Sequence, residues 1–207
     1  LKMENVPADD IALLMILAGP AGSGKTTLCE RIVADNDRIE RLVTCTTRQP
    51  RENEIDGMDY HFLSNEAFDE NIEAGAFLEW AKVHTNRYGT LKSVIEDKLT
   101  EQIDLVMNID VQGVATVRET AASHPAIEQR LVTVFIMPSD FDELRRRLHG
   151  RGQDDEQEIA RRIQSAEAEV KQWSSFDYVI RSKSKDEDYA AIRSIWHAEK
   201  RKASRLG

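Results

Sequence analysis

The chain has 207 residues, of which 41% are hydrophobic and 31% charged, a globular mix that excludes wholesale disorder. Its 37 acidic and 28 basic side chains give a formal net charge of −9, which argues against a protein that coats nucleic acid or an anionic membrane. Two cysteines provide no disulfide framework, and the longest apolar run is far shorter than the ~20 residues of a membrane helix. We therefore expect a cytoplasmic protein without a membrane partner.

Apolar runs and helical spacings alternate along the chain and predict an α/β layer fold with a parallel sheet. The expected strands are Ile11–Ala18, Leu105–Ile109, Leu131–Met137 and Tyr178–Ile180. One expected helix carries Ile159, Ile163, Ala166, Val170 and Trp173, and another carries Tyr189, Ile192, Ile195 and Trp196. Asp155 followed by Glu158 resembles a capping box at the start of the first of these helices.

Two regions interrupt this alternation and are expected to be insertions at the edge of the sheet. Residues 44–90 have shorter patterns with turn signals, and residues 148–157 are polar with two glycines. Near the end of the chain, Lys200-Arg201-Lys202 is expected to be the solvated end of a helix, with a charge that suits the helix dipole.

The strongest chemical signal is the segment Gly19–Thr26, which fits the pattern G-x-x-x-x-G-K-[ST] between a strand and a helix beginning near Thr26. Its glycines let main-chain N–H groups surround a phosphate, and the following helix directs its positive end at the same anion. Lys25 would reach the β- and γ-phosphates of a nucleotide, and the Thr26 hydroxyl would ligate Mg²⁺. We call residues 19–26 the P-loop.

Several shorter segments could bind a phosphorylated acceptor, although each has a structural alternative. Arg48 and Arg51 could clamp a phosphate or belong to a surface loop. Tyr60 and Tyr88 could donate to phosphate oxygens or pack as aromatic residues. Glu79 lies among apolar neighbours and, if buried, needs either a guanine edge or a salt-bridge partner.

These segments, in this order, resemble the guanylate kinase family. The resemblance rests on Gly-Pro-x-Gly-x-Gly-Lys, Thr-Thr-Arg-x-Pro-Arg, Asp-Tyr-x-Phe, Phe-Leu-Glu-Trp, Tyr-Gly-Thr, Ile-Asp-Val-Gln-Gly and Arg-Gly-x-Asp, and it runs from about Ile11 to the last helix. It implies a P-loop kinase core with a parallel sheet, formed by residues 8–43, 91–147 and 174–207. It also implies a mixed α/β GMP-binding insert at 44–90 and a helical lid at 148–173.

The resemblance implies Mg²⁺-dependent transfer of the ATP γ-phosphoryl group to GMP, and also to dGMP, in purine nucleotide metabolism. ATP and GMP would be small-molecule partners, nucleic acid would not be one, and the oligomeric state stays open. The ATP-binding residues would be Gly19, Pro20, Ala21, Gly22, Ser23, Gly24, Lys25, Thr26 and Thr27. The GMP-binding residues would be Thr44, Arg48, Arg51, Tyr60, Glu79, Tyr88, Thr90, Asn108 and Asp110. The catalytic residues would be Lys25, Arg48, Arg151 and Arg162. Mg²⁺ would be held by Thr26 and would lie near Asp110, with a bridging water as one option.

The sequence departs from the family pattern at four positions. Asn108 stands where the family has an acid that helps to read the base, and Arg87 replaces the first tyrosine of Asn-Tyr-Tyr-Gly. Ser182 stands where an asparagine near the ATP nucleoside is usual, and Ala21 replaces a serine in the P-loop. Two other hypotheses remain: an interaction module that binds phosphorylated peptides, which the intact P-loop opposes, and a P-loop kinase for another phosphorylated small molecule such as a ribose bisphosphate, which Asn108 keeps open.

Overall fold

A five-stranded parallel sheet forms the centre of the computed structural model, which describes residues 11–83, 85–150 and 156–205. The strands are β1 (Leu14–Ala18), β2 (Ile39–Arg41), β3 (Cys45–Thr46), β4 (His61–Phe62), β5 (Phe77–Val83), β6 (Asn86–Leu91), β7 (Asp104–Asn108), β8 (Leu131–Met137) and β9 (Tyr178–Arg181). The helices are α1 (Lys25–Ala34), α2 (Asn65–Glu73), α3 (Lys92–Thr100), α4 (Val111–Ala121), α5 (Pro125–Glu128), α6 (Phe141–Gly150), α7 (Glu156–Val170) and α8 (Lys185–Lys200). Short 3₁₀ helices span Trp173–Ser175 and Ala203–Arg205.

The central sheet has the order β2-β7-β1-β8-β9, and helices cover both of its faces. Alternate residues of β1 point to opposite faces: Leu14 and Ile16 pack in the cluster with α3, α4 and α5, whereas Met15 and Leu17 pack against α1 and α8. Because every residue of β1 is buried, the strand is a continuous apolar run. This arrangement confirms the predicted α/β fold class.

The four predicted strands are present with small shifts at their ends. The first begins at Leu14 and not at Ile11, the second is Asp104–Asn108, and the last extends to Arg181. Strand β2 was missed because it has only three residues, Ile-Glu-Arg, and so gives no apolar run.

A second sheet lies within residues 44–91, with the order β4-β3-β6-β5. Strand β3 pairs antiparallel with β6 and parallel with β4. Helix α2 covers this sheet through Phe68, which packs with Cys45 and Phe77. The Ser64 hydroxyl starts α2 by accepting from the Ala67 N–H at 3.1 Å.

Helices α6 and α7 form a hydrophobic cluster of their own, made of Leu144, Leu148, Ile159, Ile163 and Ala166. Ala21 of the P-loop packs against this cluster, so the helix pair borders the loop. Helix α7 ends at Val170, and Trp173, predicted as part of its apolar face, lies in a 3₁₀ helix with 48% of its surface exposed. The predicted cap residue Asp155 lies outside the described residues.

The described C-terminal end of the chain is anchored more firmly than the sequence predicts. Helix α8 begins with a capping box in which Ser184 and Glu187 exchange hydrogen bonds. At its other end Lys200 is buried and donates to Asp104 Oδ1 at 2.6 Å, so the prediction of a solvated lysine there is wrong.

Within the described ranges no helix has both the length and the apolar content that crossing a membrane requires.

Candidate active site

The P-loop and the residues after β7 meet at one edge of the central sheet. Strands β1 and β7 are parallel neighbours with Leu17 opposite Asn108, and the Ile109 N–H donates to the Leu17 carbonyl at 3.2 Å. The P-loop follows β1, and Asp110 follows β7. Since the carboxyl ends of parallel strands share one edge, two distant segments of the sequence are brought together there, which is the usual place of ligand sites in such sheets.

Positive φ angles in the P-loop favour glycine at Gly19, Gly22 and Gly24. Gly19 has φ of +137°, and a Cβ there would come within 2.5 Å of the Ile136 carbonyl oxygen. Gly24 has φ of +100° and precedes the first residue of α1, so the N–H groups at the start of this helix face the loop. Lys25 Nζ donates to the carbonyl oxygens of Gly19 at 2.5 Å and Pro20 at 2.9 Å. The loop therefore has the geometry of an anion-binding turn.

A cavity of about 570 Å³, cavity II, opens beside the P-loop. Its lining residues are Gly22, Ser23, Gly24, Thr27, Leu28, Arg31, Glu143, Arg147, Gly150, Lys183, Lys185 and Asp188. Four of these are cationic, although the whole chain is acidic. Arg147 is held by Glu143 Oε1 at 2.9 Å. The P-loop and this positive lining together suit a polyanionic ligand such as a nucleoside triphosphate.

Ser182, which stands where the guanylate kinase pattern has an asparagine, lies behind cavity II. The buried Ser182 hydroxyl donates to Asp188 Oδ2 at 2.7 Å, while the Lys183 N–H donates to Asp188 Oδ1 at 2.9 Å. Asp188 is thus fixed at the cavity wall through Ser182. No short motif contains Arg147, Lys183 or Asp188, so these lining residues could not be identified from the sequence.

A second cavity of about 430 Å³, cavity I, lies between the second sheet and the carboxyl edge of the central sheet. Its lining residues are Arg41, Leu42, Thr44, Tyr60, Glu79, Trp80, Ala81, Tyr88, Gly89, Met107, Asn108, Ile109, Asp110, Gln112, Gly113 and Thr116. Six of the nine predicted GMP-binding residues are among them: Thr44, Tyr60, Glu79, Tyr88, Asn108 and Asp110. The structure therefore brings these residues together from five segments of the chain.

Glu79 is the buried acid of cavity I. It lies opposite Thr90 in the β5–β6 pair, just after a register shift that follows Phe77, and such irregularities re-aim side chains. Thr90 Oγ1 donates to Glu79 Oε1 at 2.7 Å. Burial raises the pKa of Glu79, the hydrogen bond from Thr90 opposes that rise, and the negative charge of Asp110 adds to it. The carboxylate needs further hydrogen-bond donors, which a ligand with N–H groups would supply.

Arg48 lies beside the two tyrosines that line cavity I, although it does not line the cavity itself. The rings of Tyr60 and Tyr88 lie edge to face with centroids 6.0 Å apart. Arg48 Cζ lies 5.4 Å from the Tyr60 ring centroid, and Arg48 Nη2 donates to Glu54 Oε1 at 2.8 Å. The pKa of Glu54 is lowered, mainly by this hydrogen bond. A guanidinium beside two phenolic hydroxyls forms a suitable site for a phosphate.

Thr26 and Asp110 carry oxygen atoms of the kind that a magnesium ion uses as ligands. Thr26 is exposed in the first turn of α1, next to Lys25. Asp110 is exposed, lines cavity I and caps α4 by accepting from the Gly113 N–H at 2.7 Å. Hydroxyl and carboxylate oxygens are ligands that Mg²⁺ uses, together with substrate phosphates and waters.

Other predicted residues lie apart from the two cavities. Arg51 is exposed, and its main-chain N–H donates to Glu54 Oε2 at 2.7 Å. Arg162 lies on α7, donates to Glu158 Oε1 at 3.2 Å and lines neither cavity. Arg151 lies outside the described residues.

Arg87, which replaces the first tyrosine of the family's Asn-Tyr-Tyr-Gly stretch, points away from cavity I. Its contacts are with α2. Its guanidinium pairs with Asp69 and donates to the Asn65 carbonyl at 2.9 Å, and its Cζ lies 4.7 Å from the Phe68 ring centroid. It therefore connects β6 to the start of α2, while Tyr88, the next residue, lines the cavity.

Comparison with known proteins agrees with this geometry. The family model described as guanylate kinase matches residues 12–199. The chain is 41% identical to the guanylate kinase of Caulobacter vibrioides over 193 residues, which cover 93% of this chain and 88% of that protein. It is 39% identical to the guanylate kinase of Caldanaerobacter subterraneus, covering 93% of this chain and 90% of that one.

The same relationship is found among solved structures. The crystal structure of guanylate kinase from Anaplasma phagocytophilum matches with a TM-score of 0.70 at 27% identity, covering 95% of this chain and 90% of that one. The sheet order, the P-loop and the residues gathered in cavity I thus occur in a chain that matches these proteins over nearly its whole length. The chain belongs to the guanylate kinase family and is a nucleoside monophosphate kinase.

Proposed function

We propose that the protein transfers the γ-phosphoryl group of ATP to GMP, and also to dGMP, in a Mg²⁺-dependent reaction of purine nucleotide metabolism in the cytoplasm. The observation that favours GMP is that cavity I contains the buried Glu79 together with Tyr60 and Tyr88, and that Arg48 lies beside Tyr60. An acceptor for this cavity needs N–H donors at one end and an anion at the other, and GMP has both.

In this proposal Thr44, Glu79, Thr90 and Asn108 read the guanine. The Glu79 carboxylate accepts from the N1–H and the 2-amino group, and Thr90 holds one of its oxygens in place. Asn108 lines the same cavity and can accept from the 2-amino group through its amide oxygen. Because adenine has no donor at either position, the buried carboxylate would disfavour AMP.

Arg48, Arg51, Tyr60 and Tyr88 would hold the GMP phosphate, and the P-loop with Lys25 would hold the ATP phosphates in cavity II. An oxygen of the GMP phosphate attacks the γ-phosphorus, and the bond from this phosphorus to the ADP oxygen breaks. Both nucleotides are anions, so the reaction needs cations between them. Mg²⁺, when bound near Thr26 and Asp110, neutralises charge on the ATP phosphates.

The same proposal divides the chain into a core (residues 8–43, 91–147 and 174–207), a GMP-binding insert (44–90) and a lid (148–173). Arg151 and Arg162 would approach the transferring group when the lid closes. Closure would exclude water and limit ATP hydrolysis. The packing of Ala21 against the α6–α7 cluster supports a mechanical link between the lid and the P-loop.

The test is an ADP-release assay with ATP, Mg²⁺ and a panel of GMP, dGMP, AMP, UMP, CMP and ribose phosphates. We expect turnover with GMP and dGMP only. Turnover with a ribose phosphate and not with GMP would overturn the role of Glu79 while keeping the kinase. Tight GMP binding without turnover of any acceptor would favour an interaction module.

A further inference from the structure

The loop between β3 and β4, residues 47–60, contains a glutamate that the proposed function does not use. Glu54 Oε1 accepts from Arg48 Nη2 at 2.8 Å. The side chains of Arg48 and Glu54 are only 15% and 19% exposed. This ion pair is therefore more shielded from solvent than a pair on an open surface, where such contacts contribute little.

The second oxygen of the same carboxylate is also engaged. Glu54 Oε2 accepts from the Arg51 N–H at 2.7 Å, and the Glu54 N–H donates to the Arg51 carbonyl at 3.1 Å. One carboxylate thus links the side chain of Arg48 to the main chain of Arg51. These are the two arginines that we propose for the phosphate of the acceptor.

The guanidinium of Arg48 is held by two hydrogen bonds and keeps further N–H donors. Nη1 donates to the Gln49 carbonyl at 2.9 Å, and Nη2 donates to Glu54. A guanidinium has five N–H donors, so these two bonds leave donors of the fork for an anion between Arg48 and the tyrosines of cavity I. An arginine that is already ordered loses less conformational entropy when it binds a phosphate.

The negative charge of Glu54 has an opposite effect, because it repels the phosphate. Glu54 is paired with the Arg48 guanidinium at 2.8 Å, so the positive charge of this arginine offsets most of that repulsion. The hydrogen bonds that orient the arginine are not weakened by this pairing. The ordering effect is therefore expected to exceed the repulsion.

We propose that Glu54 is a positioning residue: it holds Arg48 and the Arg51 main chain in the arrangement that receives the phosphate of the acceptor nucleotide, without touching the acceptor. This inference rests on the proposed function. It extends that function to a residue that does not line cavity I.

The experiment measures KM for GMP, KM for ATP and kcat in the full chain carrying Glu54→Ala. We expect KM for GMP to rise about tenfold, with the KM for ATP and kcat within about twofold of wild type. Glu54→Gln keeps an acceptor oxygen and should give a smaller rise. Glu52→Ala is the matched control, because it removes an exposed glutamate from the same loop, and it should leave all three constants unchanged.

A double-mutant cycle separates positioning from other effects. If Glu54 acts mainly through Arg48, then adding Glu54→Ala to Arg48→Ala should raise KM for GMP much less than Glu54→Ala does in wild type, the residual rise coming from the Arg51 main chain. The inference would be overturned if Glu54→Ala raised KM for GMP by the same factor in the Arg48→Ala variant as in wild type. A lower KM for GMP in Glu54→Ala would also overturn it and would identify Glu54 as a competitor for Arg48. Failure of wild type to phosphorylate GMP would instead overturn the proposed function.

Discussion

Thr90 Oγ1 donates to Glu79 Oε1 at 2.7 Å across the β5–β6 pair, and both side chains are buried. Burying a carboxylate costs free energy, and one neutral donor offsets only part of that cost. The fold keeps this carboxylate at the wall of cavity I, where a ligand can complete its hydrogen bonds. The pair therefore marks the part of the site that should determine base specificity.

Glu79→Gln is expected to raise KM for GMP by roughly tenfold to a hundredfold, because an amide offers one acceptor oxygen and no charge to two guanine donors. The KM for ATP should change by less than about twofold. Steady-state kinetics with each nucleotide varied in turn will measure both constants. Glu70→Gln on the exposed side of α2 is the matched control. An equal loss of affinity for both nucleotides would assign Glu79 a structural role.

The pH dependence of GMP binding follows from the raised pKa of Glu79. Burial, the largest cause, favours the protonated form, which cannot accept from both guanine donors. As the pH falls through this raised pKa, KM for GMP should increase, and the increase should begin at a higher pH than for an ordinary glutamate. A profile of KM from pH 8 to pH 5 tests this. The profile of Glu79→Gln shows how much of the increase in KM comes from protonation of the GMP phosphate itself. Identical profiles for wild type and Glu79→Gln would contradict the prediction.

The sequence predicted the parts of the site that depend on local chemistry. A P-loop between a strand and a helix is recognisable because its glycines and lysine are contiguous. The position of Asp110 at the same sheet edge as the P-loop could be expected because both follow buried parallel strands. Glu79 could be identified as a residue in need of a partner because its neighbours are apolar.

Other contacts could not be predicted, because they join residues that no pattern connects. Glu54 belongs to a polar loop, and only the folded turn brings its carboxylate to Arg48. Lys200 lies in a basic run typical of a solvated helix end, yet it is buried against Asp104. In both cases the partner depends on tertiary packing, which local sequence does not encode.

Lys25→Ala is expected to lower kcat by on the order of 10² to 10³ or more, since it removes a cation that would stabilise the transferring phosphoryl group. The fold should remain intact, because Lys25 lies at the open start of α1. Circular dichroism and an ADP-release assay will measure the two properties. Lys92→Ala, which also changes the first residue of a helix, is the matched control. Turnover near that of wild type would contradict the assignment of the P-loop.

Asn108→Asp is expected to lower KM for GMP about three- to tenfold, because a carboxylate accepts from the guanine 2-amino group more strongly than an amide does. Inosine monophosphate, which has no 2-amino group, should show no such gain. Both constants can be measured with the same assay. Gln112→Glu adds the same charge to another residue of cavity I and is the matched control. Equal effects of the two variants would show that charge alone is responsible.

Lys200→Met should lower the free energy of unfolding by about 3 kcal/mol, because it leaves the buried Asp104 carboxylate without its cation. Lys200 Nζ lies 2.6 Å from Asp104 Oδ1, and the two side chains are 7% and 4% exposed. Asp104 also accepts from the Leu13 N–H and from Trp196 Nε1, so it connects β7, α8 and the segment before β1. The removal of Lys200 should therefore weaken the core without changing either cavity.

Urea unfolding at neutral pH measures this change, and Lys171→Met, which replaces an exposed lysine near the end of α7, is the matched control. The control should stay within about 0.5 kcal/mol of wild type. Because Lys200 lines neither cavity, the KM for GMP of the folded variant should equal that of wild type. A loss below about 1 kcal/mol would show that water reaches the Asp104–Lys200 pair and weakens it, since exposed ion pairs contribute no more than this.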